Sequence, residues 1–208
     1  MLSYLNEKNI NLSTPDIEYH PLKPFVHDDT RVLFLGSFPP QRKRWCMDFF
    51  YPNYGNDHWR IMGIVFYDDK NHFVDESMKT FKIKDIVEHC KQYGIGYFDT
   101  AFAVKRLADN ASDKFLNVIV PTDINQLIQG LHQLKAVVTT GTKATETICE
   151  QLGIDVLPKV GEAVEFHYYD HTLFLYRLPS SSRAYPLHIE KKAIFYKDMF
   201  KFMGMLES

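Results

Sequence analysis

Two short stretches carry residue types from which chemistry can be built. Gly36-Ser37-Phe38-Pro39-Pro40 closes the apolar run Val32 to Leu35, and Leu178-Pro179-Ser180-Ser181-Ser182 closes another far down the chain. Both abandon sheet pairing abruptly, since proline lacks the amide a ladder needs and glycine relaxes the exit from a strand. Both turn backbone N–H groups outward and add hydroxyls. Donors fixed in this way stabilise negative charge developing on a reacting group, and amides with hydroxyls also grip phosphate oxygens. Two such strand ends can face one pocket. Neither matches two common reaction patterns. Gly36-Ser37 is not the Gly-x-Ser-x-Gly elbow of a serine hydrolase. Gly141-Thr142-Lys143 opens a helix but lacks the Gly-rich loop and Gly-Lys-Ser/Thr ending of a phosphate-binding loop.

The elements that must position these stretches alternate along the chain. Residues 1–24 are polar and punctuated by proline, and are read as an extended arm lying on a single domain over 25–208. Val32 to Leu35 is a continuous apolar strand of the kind buried on both faces of a parallel sheet. Helices are expected over Trp59 to Phe66, Lys79 to Tyr93 with Gly94 as its stop, Thr122 to Leu134, Thr142 to Leu152 with Gly153 as its stop, and from His188 onward. Further strands are expected at Ile95 to Thr100, Ala136 to Thr140 and Thr172 to Leu178, the last paired in a hairpin with Glu165 to Tyr169. This order predicts an α/β fold, a three-layer α/β/α sandwich around a central, mainly parallel four-stranded sheet. Such sheets bind ligands in the crevice beyond the carboxyl ends of their strands. The loops there are Gly36 to Trp59, Ala101 to Asp113, Gly141 to Lys143 and Pro179 to Pro186.

Composition sets limits on function. The 208 residues, 45% hydrophobic and 14% aromatic, suffice for one core and suggest no second domain. No long apolar run predicts a membrane span, and the absence of a basic-then-apolar leader makes the cytoplasm the expected compartment. Cys46, Cys90 and Cys149 are scattered without a C-x-x-C pair, so no disulfide framework, metal site or other cofactor is expected. A net charge of -2 gives no global attraction to nucleic acid. Phosphate binding must rest on a local cluster, and Arg42, Lys43, Arg44, Lys105, Arg106, Lys143 and Arg183 all fall in the loops named above, with Lys191 and Lys192 close behind.

The series Gly36-Ser37-Phe38-Pro39, Tyr51-Pro52-x-x-x-Asn56-x-x-Trp59, Asp99 with Arg106 and Ser112-x-x-x-Leu116, Val138 to Gly141 with Ala144, and Leu178-Pro179-Ser180-Ser181-Ser182 resembles the uracil-DNA glycosylase superfamily. The nearest look is to its mismatch-specific and hypoxanthine-DNA glycosylase branches. The resemblance spans Arg31 to Phe200 and lies in the order and spacing of motifs that are each only four or five residues long. It implies a monofunctional DNA glycosylase of base excision repair. Such an enzyme flips a deaminated or mismatched base, uracil, hypoxanthine or similar, out of duplex DNA and hydrolyses its N-glycosidic bond with water. The partner implied is duplex DNA, with no membrane, no metal and a monomeric chain.

Site residues follow from the same resemblance. Asn56 and Ser37 take the catalytic positions, holding water or base. Gly36, Phe38, Pro39, Tyr51, Asp99 and Thr100 surround the base, with Phe38, Phe50 or Tyr51 available to stack on it. Pro179, Ser180, Ser181, Ser182, Arg183 and Lys191 contact DNA, with Arg183 or Tyr185 placed to enter the gap in the duplex. The sequence departs from the pattern in four places. Pro40 replaces the second glycine of Gly-Ser-x-Pro-Gly, and His58 stands where the relatives have phenylalanine. The first motif contains no Asp or Asn to activate water, and the last motif has no histidine. A non-catalytic nucleic-acid-binding or interaction module on the same fold is the alternative reading.

Overall fold

The computed structural model describes residues 16–107 and 116–207. A five-stranded sheet lies at the centre, in the order β5(Ile95–Asp99), β2(Val32–Gly36), β8(Ala136–Thr139), β10(His171–Arg177), β9(Ala163–Tyr168). The first four strands are parallel, and β9 joins the edge antiparallel as the hairpin partner of β10. The expected four-stranded parallel core is therefore present with that hairpin arm added. Val32 to Leu35 have no exposed surface, as a strand covered on both faces must.

Among the described residues, five α-helices complete the layers: α1(His58–Tyr67), α2(Ile83–Tyr93), α3(Ile124–Ile128), α4(Thr142–Leu152) and α5(Ile189–Phe202). Helices α1 and α5 pack together over the face to which Phe34 points, its ring meeting His58, Tyr196 and Phe200. Alternation sends Leu33 and Leu35 to the other face. The glycine stops behave as expected: Gly94 at φ 69° and Gly153 at φ 64° end α2 and α4 in the left-handed region.

Three elements differ from the sequence reading. Helix α2 begins at Ile83 rather than Lys79, because Thr80–Phe81 (β4) pairs with Val74–Asp75 (β3). Helix α3 is one short turn, its first amides capped by Asp123 accepting from Gln126 N. Beyond it Gly130 removes helical propensity, and Leu131 and Leu134 reach the core from turns instead. The segment expected to be a loop after Thr100 is strand β6(Ala101–Arg106), hydrogen-bonded to β7(Leu116–Pro121) on one side and β1(Ile17–Tyr19) on the other. The described part of the N-terminal arm is thus an edge strand of a second sheet, and Ser112 and Asp113 lie outside the described residues. Among the described residues no helix is long and apolar enough to cross a membrane.

Candidate active site at the carboxyl edge of the sheet

The four parallel strands end at one edge, and a cavity of about 870 Å³ opens there, within the range of small-molecule sites. Its wall includes Gly36 to Pro40 from the end of β2, Phe50 to Asn53 with Gly55 and Asn56 from the following loop, and Phe98 with Asp99 from β5. Thr140 to Lys143 beyond β8 and, beyond β10, Arg177, Leu178, Ser180 to Ser182 and Ala184 to Pro186 close the ring. The early glycine turn and the late serine turn therefore share one hollow.

The loop that carries Asn56 touches the serine turn directly. Asn56 and Ser182 form an antiparallel bridge, and Asp57 N donates to Ser181 O at 3.0 Å. The serine loop is shaped by its own hydroxyls, with Ser182 N donating to Ser180 Oγ and Ala184 N to Ser182 Oγ, both at 3.2 Å. Beneath it lies Lys192, 1% exposed, whose Nζ donates to Ser182 O at 2.7 Å and stands 3.9 Å from Asp57 Oδ2. Burial lowers the Lys192 pKa against the opposing pull of Asp57. Arg183 Nε meets the other Asp57 oxygen at 2.9 Å.

Of the residues assigned from sequence, Ser37, Asn56, Gly36, Phe38, Pro39, Tyr51, Asp99, Ser180, Ser181 and Ser182 line the cavity. Thr100, Pro179, Arg183 and Lys191 do not. Thr100 is buried, and its amide donates to Gly36 O at 2.8 Å, carrying the chain from β5 into β6. Pro179 is buried beneath the serine turn, where its carbonyl accepts from Tyr196 Oη at 3.3 Å. Lys191 is exposed on α5, and Arg183 is committed to Asp57.

The Asn56 side chain has a fixed polarity. Its Oδ1 accepts from His58 N at 2.9 Å, so the NH2 end is the one left for a ligand. Tyr51 sits at φ 51°, uncommon for an aromatic residue, with its ring stacked on His58 at 3.7 Å and 11°. His58 itself has no exposed surface. Its Nε2 pairs with Tyr97 Oη at 2.9 Å, and burial holds its pKa well below 6.5, so it is a neutral packing residue.

Two functional neighbours escape the sequence reading. His20, from the arm, is 8% exposed and places Nε2 2.8 Å from Asp99 Oδ2 across 79 residues of chain. No local pattern signals such a contact. Lys192 counts in the sequence, with Lys191, among the cations close behind the loops, yet it falls on the stripe Ile189, Lys192, Ala193, Tyr196, Phe200, and that helical period does mark it as inward. The expected cationic edge is also thinner than its residue count. Arg42, Lys105, Arg106 and Arg183 are each paired with a carboxylate, whereas Arg44, Lys143 and Arg177 line the cavity. Among the described residues no cluster of three or more His, Cys, Asp or Glu is arranged to hold a metal ion.

Comparison with known proteins places the fold. A solution NMR structure of a "putative Uracil DNA glycosylase" from Methanosarcina acetivorans matches with a TM-score of 0.59 at 20% identity, over 90% of this chain and 99% of that one. No family model matches the chain, and no curated protein does. The shared fold is the mixed α/β architecture with its mostly parallel central sheet.

Proposed function

We propose that this chain is a monofunctional DNA glycosylase of the uracil-DNA glycosylase superfamily, nearest the mismatch-specific and hypoxanthine-DNA branches. It would hydrolyse the N-glycosidic bond of a deaminated or mismatched base in base excision repair. One observation carries the reading: the Gly36 turn and the Ser180 to Ser182 turn wall a single open cavity, and the loop that carries Asn56 is bridged to the serine turn at Ser182. The fold neighbour supports a glycosylase-like role at the level of architecture.

In this reading the flipped base enters between Phe38, Phe50 and Tyr51, at an unstacking cost of a few kcal/mol. Gly36 and Pro39 let backbone approach it, Asp99 meets its edge, and the Asn56 NH2 and the Ser37 hydroxyl act at the reacting centre. A deaminated base leaves as a fairly stable anion, so donors fixed where charge develops matter more than a strong acid. Ser180 to Ser182 grip phosphate, with Arg44, Lys143 and Arg177 around them. The enzyme works in the cytoplasm as a monomer and needs no cofactor.

The test is incubation with labelled duplexes carrying uracil, hypoxanthine, xanthine or a G·T mismatch, followed by alkali. Strand breaks at the modified position support the enzyme. Salt-sensitive binding without breaks supports the non-catalytic nucleic-acid-binding module.

A further inference from the structure

The loop that presents Asn56 is held by a buried cation behind the cavity wall. Arg60, in the first turn of α1, is buried and does not line the cavity. Its Nη1 donates to Tyr54 O at 2.9 Å and to Asn56 O at 3.3 Å. Tyr54, alone among residues 50–56, also does not line the cavity. Its ring instead meets the guanidinium, which stands 4.6 Å from the Tyr54 centroid and 5.3 Å from that of Phe81 in β4. The β3–β4 hairpin reaches the same loop a second time, where Thr80 Oγ1 donates to Cys46 O at 2.7 Å and Cys46 N to Pro52 O at 2.9 Å. Hairpin and helix together buttress the segment that carries Asn56.

Stability alone is a poor reason for an arginine here. Asp57, the nearest acid in sequence, is engaged by Arg183 and Lys192, and the Arg60 hydrogen bonds run to carbonyls. A cation buried in this way costs stability that a packed apolar side chain would not. What the guanidinium adds is geometry. Nη1 carries two hydrogens, one for each carbonyl, and the flanking rings limit the tilt of the plane that aims them. Asn56 is thereby fixed at three points: its N donates to Asn53 O at 2.8 Å, its Oδ1 accepts from His58 N at 2.9 Å, and its O accepts from Arg60. Of these three partners Arg60 alone is a side chain. Freeing the carbonyl would let the Asn56 peptide rotate and carry its NH2 with it.

We infer that Arg60 is a positioning residue of the candidate site and acts through Asn56: by holding the Asn56 carbonyl it sets where the Asn56 NH2 stands in the cavity. This rests on the glycosylase reading, in which that NH2 acts at the reacting centre. Arg60 itself touches no substrate and moves no proton. Misplacing an acting group by about 1 Å can cost on the order of 100-fold in rate. Loss of the hold should therefore appear in the chemical step, and not in duplex affinity, which the serine loop and the cavity rim supply.

The experiment is a double-mutant cycle in single-turnover cleavage of a duplex that the wild type cleaves, with Arg60→Met and Asn56→Ala made singly and together. Arg60→Met keeps the length of the side chain without its donors. It should slow cleavage about 10- to 100-fold while duplex binding stays within about threefold. In the Asn56→Ala background the same change should slow cleavage less than about twofold, because the group it positions is gone. Arg60→Lys, whose ammonium can still meet a carbonyl, should recover part of the rate. An arginine that is merely structural would slow both backgrounds alike and weaken binding along with rate, and that result overturns the inference. Independently of activity, the NMR resonances of the Asn56 NH2 should shift in Arg60→Met, or in Arg60→Lys if the methionine variant fails to fold; an unmoved Asn56 NH2 overturns the inference whether or not any duplex is cleaved. A wild type active with Arg60→Met within about threefold overturns this inference alone, whereas a wild type inert on every duplex overturns the glycosylase reading with it.

Discussion

Replacing Asp57 by asparagine tests whether the serine loop is held by buried charge. The substitution keeps shape and helix, since the Asp57 side chain makes no capping hydrogen bond to α1. It leaves Lys192, 1% exposed, with Ser182 O as its remaining acceptor. At 3.9 Å the lost attraction is about 4 kcal/mol for an effective dielectric near 20. Arg183 loses its partner as well, but half in solvent it adds little to the loss. Breaking a buried pair while stranding one partner costs roughly 3 to 5 kcal/mol, so about 3 kcal/mol is expected here. For a domain of this size that is a fall in Tm of roughly 6 to 12 °C. The sign of its pH dependence follows from Lys192. Its folded pKa lies below the ordinary 10.5, so the unfolded chain binds the proton more tightly. Stability is fullest above 10.5, falls as pH drops through the folded pKa, and carries the whole penalty below it. Losing Asp57 lowers the folded pKa further, so the deficit of Asp57→Asn should shrink as pH rises from about 7 to about 10 in urea titrations. A deficit below about 1 kcal/mol at pH 7, or one that does not change with pH, refutes the argument.

Asn56→Asp keeps an oxygen for His58 N but removes the NH2, so single-turnover cleavage should fall about 100-fold, as far as in Asn56→Ala; an active aspartate variant would exclude the donor role. His89 is held at about 3 by burial, so the fold loses stability as pH falls from 6.5 towards that value. The slope of urea midpoint against pH should flatten in His89→Phe, and an unchanged acid slope would show that this histidine is not the titrating group. Arg44→Ala removes an exposed guanidinium at the cavity rim. It should reduce the slope of log K against log salt for duplex binding by about 1, and an unaltered slope would place Arg44 off the phosphates.

The parts of the fold legible in the sequence are those fixed by local rules. Val32 to Leu35 could be nothing but a doubly covered strand, and α4 is bounded by Gly141 and Gly153 where the sequence marks them. The parts missed depend on distant partners. Lys105 and Arg106 read as loop cations, but β6 is made a strand by β1 and β7 on either side of it. The site divides in the same way. Motif order brought the Gly36 and Ser180 turns together correctly. Which carboxylate stands beside them, and that His20 holds it, follows only from the pairing of β2 with β5 and from the path of the arm.

The charge of the rim has a structural explanation that its residue count conceals. Loops leaving the carboxyl ends of strands carry carbonyls that no neighbouring strand can satisfy. Around this cavity, cationic side chains satisfy several of these carbonyls and some on neighbouring segments. Arg106 Nη2 donates to Pro39 O at 2.6 Å, Lys192 Nζ to Ser182 O at 2.7 Å, Arg60 Nη1 to Tyr54 O at 2.9 Å and Arg177 Nη1 to Pro158 O at 3.2 Å. Lys143 Nζ donates to Leu116 O. Three of these side chains, Arg106, Lys192 and Arg60, brace the two loops that make the candidate site, and Arg106 is further neutralised by Glu18. Arginine and lysine thus act here as struts of the cavity wall. On the glycosylase proposal, a nearly neutral chain can therefore keep a preorganised site for a flipped base without a basic surface, and its affinity should lean on contacts inside the cavity more than on long-range attraction.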